Sequence, residues 1–274
     1  MARERPTDEA YDDADEALSQ GEYERVEQLL GAWAADDVRD PEACALVGLA
    51  RFYEGDTETA RPLLDWAVEH DAGGAEAKMG LGACEFLALE IEPAEERLEE
   101  VIEEDPEWAA GHFWLARLTE WKARWDASLA HDAERGFARA ARLDPEGFPV
   151  PLHLTEKEFD AVLEEAIGGL PPRITEELED VSVVVDAYPH EALFGGGDEE
   201  PGPDLLGLYQ GPSRLERSNL DTGTLPGVIH LFQRNLELTC ATREELVEEI
   251  RDTLLHEVGH FLGMEEEDLE ELDL

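Results

Sequence analysis

The chain has 274 residues, of which 69 are acidic and 21 are basic, and its formal net charge is −48. A surface this acidic repels phosphate backbones and anionic lipids, which excludes nucleic acids and membranes as expected partners. Apolar residues make up 42% of the chain, so it can form one large domain or two ordinary ones.

The cysteines and the amino-terminal residues indicate the compartment. Cys44, Cys84 and Cys240 are an odd number without close spacing, each in an apolar context, which is typical of buried thiols in a reducing compartment. Residues 1–13 are polar, and no apolar run is long enough for a membrane span, so we expect a cytoplasmic protein. Because salt screens like charges, the acidic, lysine-poor composition also favours a halophilic source.

A repeat with a period of 34 residues occupies the first half of the chain. Residues 1–8 are predicted to be a polar tail, and residues 9–148 a series of helix pairs with a glycine-containing turn in each pair. A fourth unit follows five residues late and contains Ala133, Phe137 and Ala140. The positions that recur at the full interval are Gly21 and Gly55, Gly48 and Gly82, Ala60 and Ala94, and Leu30, Leu64 and Leu98.

This pattern resembles tetratricopeptide repeats, in which small residues lie where paired helices touch. The resemblance implies an all-α domain that binds a protein partner. The sequence departs from the family pattern at Arg51 and Lys78, among other positions. All six tryptophans fall in this half, and we interpret them as packing between helices. The alternative is an aromatic ligand surface formed by Trp114, Trp121 and Trp125.

A linker is predicted at residues 145–155, where three prolines and a glycine prevent a continuous helix. The second domain then spans residues 149–274. Thr155 and Glu158 form a capping-box pattern, which predicts a helix that begins there and runs to about Ile167.

Short strands are predicted at two places in the second domain. Residues 181–185 are a β-branched run, and residues 228–232 follow a Leu-Pro-Gly sequence. Between them, residues 205–212 form a compact segment with glycines on either side of Tyr209. Tyr209 could hydrogen-bond an oxyanion and His230 could face a cleft, although packing and structural roles are the favoured interpretations of these two residues.

Residues 242–262 are predicted to form an amphipathic helix. It opens with Thr242 followed three positions later by Glu245, a second capping-box pattern. Gly263 follows the helix and can adopt the left-handed conformation that ends one. The apolar residues that recur at helical spacing are Leu246, Ile250, Leu254, Leu255, Val258 and Leu262.

An H-E-x-x-H motif, formed by His256, Glu257 and His260, lies near the end of this helix. The two histidines are one turn apart and can direct two imidazole nitrogens at one ion, and two imidazoles with one carboxylate suit zinc and leave a position for water. Glu257 can accept a proton from that water. The acidic residues 265–268 follow, where a third ligand is expected. The alternative is a pair of surface histidines on an ordinary acidic helix; a di-iron bundle is excluded because no second E-x-x-H occurs.

The second half as a whole resembles the small, minimal zincin-like metallopeptidases of prokaryotes. The resemblance covers about residues 154–272 and is carried by residues 205–211, the strand after Pro226 and the H-E-x-x-H-x-x-G sequence. It implies a compact α/β domain, a bound Zn²⁺ ion and peptide-bond hydrolysis. Zinc peptidases commonly place an edge strand beside the motif helix, where substrate backbone can pair, and residues 228–232 are expected to supply it.

The same resemblance implies that His256 and His260 are metal ligands and that Glu257 is the general base. The spacing is also similar to that of metzincins, whose third ligand lies three residues past the glycine. That position is Glu266 in this chain. The alternates for the third ligand are Glu265, Glu267 and Asp268.

The chain is therefore predicted to be α+β overall, with an all-α repeat domain followed by a small α/β domain. One hypothesis is a cytoplasmic zinc peptidase that acts on peptides or proteins and recruits a protein partner through its repeats. The other is a repeat-based adaptor whose zincin-like domain binds metal, or nothing, without turnover. The presence of Glu257 favours the first, because an inactive descendant has no need to keep the base.

Overall fold

The structure is a computed structural model and describes residues 5–35, 39–179, 181–190, 202–214 and 227–264. The chain divides into two compact units, Met1–Pro149 and Val150–Leu274. Within the described ranges, no helix is both long enough and apolar enough to cross a bilayer.

The first unit is helical. Its helices are α1 (Asp8–Ser19), α2 (Tyr23–Ala34), α3 (Pro41–Tyr53), α4 (Thr57–Glu69), α5 (Gly74–Leu87), α6 (Ile91–Glu104), α7 (Ala109–Ala123) and α8 (Ala130–Leu143). A short 3-10 turn, Ala127–Leu129, precedes α8. The side chains of Asp40 and Asp56 accept hydrogen bonds from the backbone N–H groups of Ala43 and Thr59, and in this way they cap α3 and α4.

The residues that recur every 34 positions are contacts between paired helices. A Cβ atom on Gly48 would lie 2.9 Å from Cγ of Leu64, and one on Gly82 would lie 3.1 Å from Cγ of Leu98. The two glycines therefore permit the same close approach within two successive helix pairs, α3 to α4 and α5 to α6. The recurring residues that are fully buried are Leu30, Leu64, Leu98, Ala60 and Ala94. The predicted helical repeat is confirmed.

Several of the scarce basic side chains link neighbouring helices in this unit. Arg51 on α3 pairs with Glu27 on α2 across 2.7 Å, and Lys78 on α5 pairs with Glu104 on α6. Arg51 and Lys78 are two of the positions at which the sequence departs from the repeat pattern. At these two departures from the pattern, the side chains form ion pairs between adjacent helices.

Trp121, within α7, and Trp125, just after it, differ in exposure. Trp121 is buried, with its ring centroid 6.3 Å from that of Phe86, whereas Trp125 is 60% exposed. The guanidinium of Arg124 lies 4.0 Å from the centroid of Trp121 and 4.9 Å from that of Trp125. Packing therefore accounts for Trp121, and Trp125 lies at the surface beside a cation.

The second unit combines helices with a small sheet. Its elements are α9 (Glu156–Gly168), α10 (Pro172–Leu178), β1 (Val181–Asp186), β2 (Gly207–Gln210), β3 (Gly227–Phe232), α11 (Gln233–Thr239) and α12 (Arg243–Leu262). The sequence patterns predict α9, α12 and the strands β1 and β3. They do not predict α10 or α11, because each has only seven residues and neither has a capping box.

The sheet has the strand order β1-β3-β2. β1 runs parallel to β3, and β2 runs antiparallel to it, so that Val183 and Tyr209 lie on either side of Ile229. The prediction that residues 228–232 form an edge strand is wrong, because β3 is central. Among the described strands, β2 is an edge and lies against α12.

The rotation of α12 about its axis is set by its buried face. The Thr242–Glu245 capping box begins the helix, and Gly263 ends it with a φ of 87°, both as predicted. Burying one large apolar side chain contributes about 1.5–3 kcal/mol, so a wrong rotation of α12 would be costly. The residues of α12 that share the core with Ile229 and Leu231 of β3 and with Phe159 and Val162 of α9 are Leu246, Val247, Ile250, Leu254, Val258 and Phe261.

Candidate metal centre

His256 and His260 lie on successive turns of α12 and converge. Their Nε2 atoms are 3.0 Å apart, and their rings meet edge to face with centroids 4.7 Å apart. Both side chains are partly exposed, so solvent and ions can reach them. Two imidazole nitrogens are therefore directed at one point at the protein surface.

This geometry fits two ligands of a zinc ion. Zinc binds histidine nitrogen at about 2.0–2.1 Å with tetrahedral angles, which places two such nitrogens roughly 3.3 Å apart. The observed 3.0 Å between the Nε2 atoms of His256 and His260 is close to that spacing. Across the described parts of the chain, no group of three or more His, Cys, Asp or Glu residues is arranged to hold a metal ion. The candidate third ligands lie outside the described residues; they are Glu266, Glu265, Glu267 and Asp268.

Glu257 is buried beside the two histidines and is held by β2. Its side chain is only 5% exposed, and Oε2 accepts a hydrogen bond from the backbone N–H of Tyr209 across 2.5 Å. The backbone N–H of Phe232 donates to the carbonyl of Leu206, so alternate residues of β2 bond to β3. Gly207 and Tyr209 consequently direct their backbone groups away from β3, towards the side of β2 where Glu257 lies.

The close approach of β2 to α12 depends on a glycine. A Cβ atom on Gly207 would lie 2.6 Å from Cγ2 of Thr253 and 3.2 Å from Cγ of Glu257. A side chain at this position would separate the strand from the helix. Gly207 therefore allows the backbone of β2 to contact the Glu257 carboxylate.

The other contacts of Tyr209 are structural. Its hydroxyl donates a hydrogen bond to the carbonyl of Pro212 across 2.8 Å, and its ring centroid lies 5.7 Å from that of Phe261. The structure brings Tyr209 to the site through its backbone N–H rather than through its hydroxyl.

His230 lies away from the pair of histidines on α12. Ile229 and Leu231 are in the core with α12, so His230 between them lies on the opposite face of β3. Its Nδ1 is 3.1 Å from Oδ2 of Asp186, whose Oδ1 is 3.1 Å from Nε2 of His190. Burial raises the pKa of Asp186, but the hydrogen bonds from the two histidines outweigh burial and leave it lowered. His230 thus belongs to a separate His-Asp-His cluster.

A cavity of about 340 Å³ adjoins the site, and the sequence reasoning did not identify it. One wall is formed by Leu205, Leu206 and Gly207. The other wall is the face of α12 that leads to the motif, which presents Glu249, Asp252, Thr253, His256 and Glu257. Helical spacing could have indicated this face, because positions 249, 252, 253 and 256 fall on one side of a helix.

The buried side-chain amide of Asn235 holds the segment before β2, which forms one wall of the cavity. Asn235 on α11 is only 3% exposed, and its Nδ2 donates hydrogen bonds to the carbonyls of Pro203 and Leu205 across 2.9 and 2.6 Å. Because a buried amide needs partners, this pairing holds the irregular backbone in one position. The sequence offers no signal for it, since the residues are about 30 positions apart.

The comparisons with known proteins agree with this architecture. A family model described as zincin-like metallopeptidase matches residues 178–274, and one described as tetratricopeptide repeat matches residues 51–118. No curated protein matches the chain. A solved structure described as MamA AMB-1 is similar at 20% identity with a TM-score of 0.39, over 50% of this chain and 72% of that one, a level that does not establish a shared fold. The matches thus give tetratricopeptide repeats followed by a zincin-like metallopeptidase domain, which is the order that the sequence predicts.

Proposed function

We propose that the second unit is a zinc-dependent peptidase in which His256, His260 and Glu266 hold the metal and Glu257 is the general base. The observation that supports this most is the 3.0 Å convergence of the two Nε2 atoms beside a buried carboxylate. The match of residues 178–274 to the zincin-like metallopeptidase family supports the same chemistry. Glu266 is proposed from the motif spacing alone.

The metal, Glu257 and the Tyr209 backbone are proposed to have separate roles in hydrolysis. When bound, zinc supplies Lewis-acid polarisation of a carbonyl and lowers the pKa of water towards neutrality. Glu257 accepts the proton as water attacks the peptide carbonyl and returns it to the leaving amine. The Tyr209 N–H fixes one carboxylate oxygen, so that the other keeps a constant orientation.

The substrate backbone is proposed to lie along β2. This strand is an edge among the described strands, and the backbone groups of Gly207 and Tyr209 face away from β3. Because the Tyr209 N–H is bound to Glu257, the substrate is proposed to pair with the other outward backbone groups of these two residues. An extended peptide can add to such an edge through main-chain hydrogen bonds, which bind without regard to sequence. Selectivity then has to come from side-chain pockets beside the strand.

The repeats are proposed to bind a protein partner, and the protein is proposed to act in a reducing cytoplasm. The match of residues 51–118 to tetratricopeptide repeats supports the first statement, because stacked helical repeats present extended binding surfaces. The three buried cysteines support the second. The strongly acidic composition excludes nucleic acid and anionic membranes as favoured partners.

A Glu257→Gln variant tests the peptidase proposal. Protein purified without added metal should contain about one zinc ion per chain in both forms, because Glu257 is not a ligand. The wild type should cleave members of a peptide library, and the variant should cleave none. Equal cleavage by both forms would remove Glu257 as the base, and zinc-loaded wild type that cuts nothing would favour an adaptor.

A further inference from the structure

The cavity beside the motif has two different walls. The backbone segment before β2 presents Leu205 and Leu206, and α12 presents Glu249 and Asp252. The volume of about 340 Å³ is near the lower end for ligand pockets, which suits one long side chain rather than a whole peptide. One apolar wall and one carboxylate wall match a side chain with an aliphatic stem and a cationic head.

The carboxylates of Glu249 and Asp252 lie within reach of a substrate side chain that enters the cavity from the proposed metal site. On α12, Asp252 precedes His256 by about one turn and Glu249 by about two, which is roughly 6 and 10 Å along the axis. A substrate side chain that leaves the backbone near His256 would therefore reach Asp252 first and Glu249 at its end. The cavity lies on the same side of α12 as Glu257, so the two sites are continuous.

We propose that this cavity is a specificity pocket that selects an arginine or lysine side chain of the peptide substrate, with Glu249 and Asp252 as the selecting residues. The assignment rests on the proposed peptidase function, because it names the substrate class for that site. It goes beyond that function in predicting a preference that zinc and Glu257 alone would not produce.

The electrostatics of Glu249 agree with this role. Burial raises the pKa of Glu249, and the charge of Asp252 raises it further. Two carboxylates that repel each other beside an apolar wall are stabilised when a cation lies between them. The neighbouring Thr253 does not compete, since its hydroxyl donates to the carbonyl of Glu249 across 2.8 Å.

The test has to distinguish binding in the pocket from the general attraction of a cationic peptide to an acidic protein. The test variant is Glu249→Gln with Asp252→Asn. The matched control is Glu244→Gln with Glu248→Gln, which removes two charges from exposed positions of the same helix that do not line the cavity. Both variants make the net charge less negative by the same amount, so only a local effect distinguishes them.

The experiment compares alanine-based peptides that carry one arginine or one neutral citrulline. Calorimetry on zinc-loaded full-length protein with Glu257→Gln should show about fivefold tighter binding of the arginine peptide. The test variant should bind both peptides alike, and the control should keep the preference. If the test variant is unfolded by circular dichroism, Asp252→Asn alone, at an exposed position, should show a reduced preference.

The outcomes separate the two proposals. Absence of a preference in the parent protein, or equal loss of it in the test variant and the control, would overturn the pocket. A preference that only the test variant loses supports the pocket, even if wild type cleaves neither peptide and the peptidase proposal fails. If wild type cleaves both peptides, the ratio of their kcat/KM values should follow the binding ratio.

Discussion

The backbone N–H of Tyr209 donates a hydrogen bond to Oε2 of Glu257 across 2.5 Å, and this contact joins the side of β2 that faces away from β3 to the motif helix. It links the proposed base directly to the strand along which the substrate is proposed to lie. The contact is possible because Gly207, two residues earlier, leaves room for α12 against the strand.

Gly207→Ala should destabilise the second unit. The added Cβ would lie 2.6 Å from Cγ2 of Thr253, so strand and helix must separate, and overpacking of this kind costs about 1–3 kcal/mol of unfolding free energy. Denaturant unfolding measures the loss. Peptide cleavage should fall as well, because the contact between Tyr209 and Glu257 lengthens.

Two variants control the glycine experiment. Gly168→Ala adds a Cβ that meets no heavy atom within 4 Å, so it should leave stability unchanged or raise it by up to about 1 kcal/mol. Thr253→Ser in the Gly207→Ala background removes the methyl group that clashes and should restore part of the stability. Equal effects of the alanine at positions 168 and 207 would contradict the proposed close approach.

Molar salt should stabilise the protein. The net charge of −48 makes the folded chain repel itself, and screening of that repulsion is nearly complete at about 1 M salt. The ion pairs between helices, such as Arg51 with Glu27, weaken in the same salt but contribute little each. The midpoint of thermal unfolding should therefore rise between dilute buffer and molar KCl. An unchanged or lower midpoint would remove the halophilic hypothesis.

The Cys84 thiol should titrate only under strongly alkaline conditions. Burial raises its pKa from the ordinary 9.0 to about 12. The folded state thus holds this proton more tightly than the unfolded state, and the contribution to stability is complete below pH 9 and is lost as the pH rises towards 12. Unfolding free energy should fall less steeply over this interval in Cys84→Ala than in wild type. Parallel curves for the two proteins would show that Cys84 is not protected.

The sequence predicts those parts of the fold that depend on local signals. The helix at residues 242–262 has a capping box, an apolar face and a terminating glycine, and all three are found in the structure. The 34-residue interval places Leu64 and Leu98 in equivalent buried contacts with Gly48 and Gly82. Periodicity and capping are properties of neighbouring residues, which explains why they can be read without coordinates.

The features that the sequence did not predict depend on residues far apart in the chain. β3 lies at the centre of the sheet because β1 and β2 pair with its two sides, and neither pairing has a local signal. The partner of His230 is Asp186, 44 residues earlier, and the partner of Glu257 is the Tyr209 N–H, 48 residues earlier. The H-E-x-x-H spacing places two imidazoles on one side of a helix, but it cannot identify which backbone N–H holds the carboxylate between them.

The zinc affinity of single histidine variants tests the central claim most directly. Competition with a chelator should show that His256→Ala and His260→Ala each weaken zinc binding by about 100-fold or more, because each removes one of the two converging nitrogens. His190→Ala, in the cluster on the far side of the sheet, should bind zinc as wild type does. Retention of wild-type zinc affinity by either the His256 or the His260 variant would contradict the proposed metal centre.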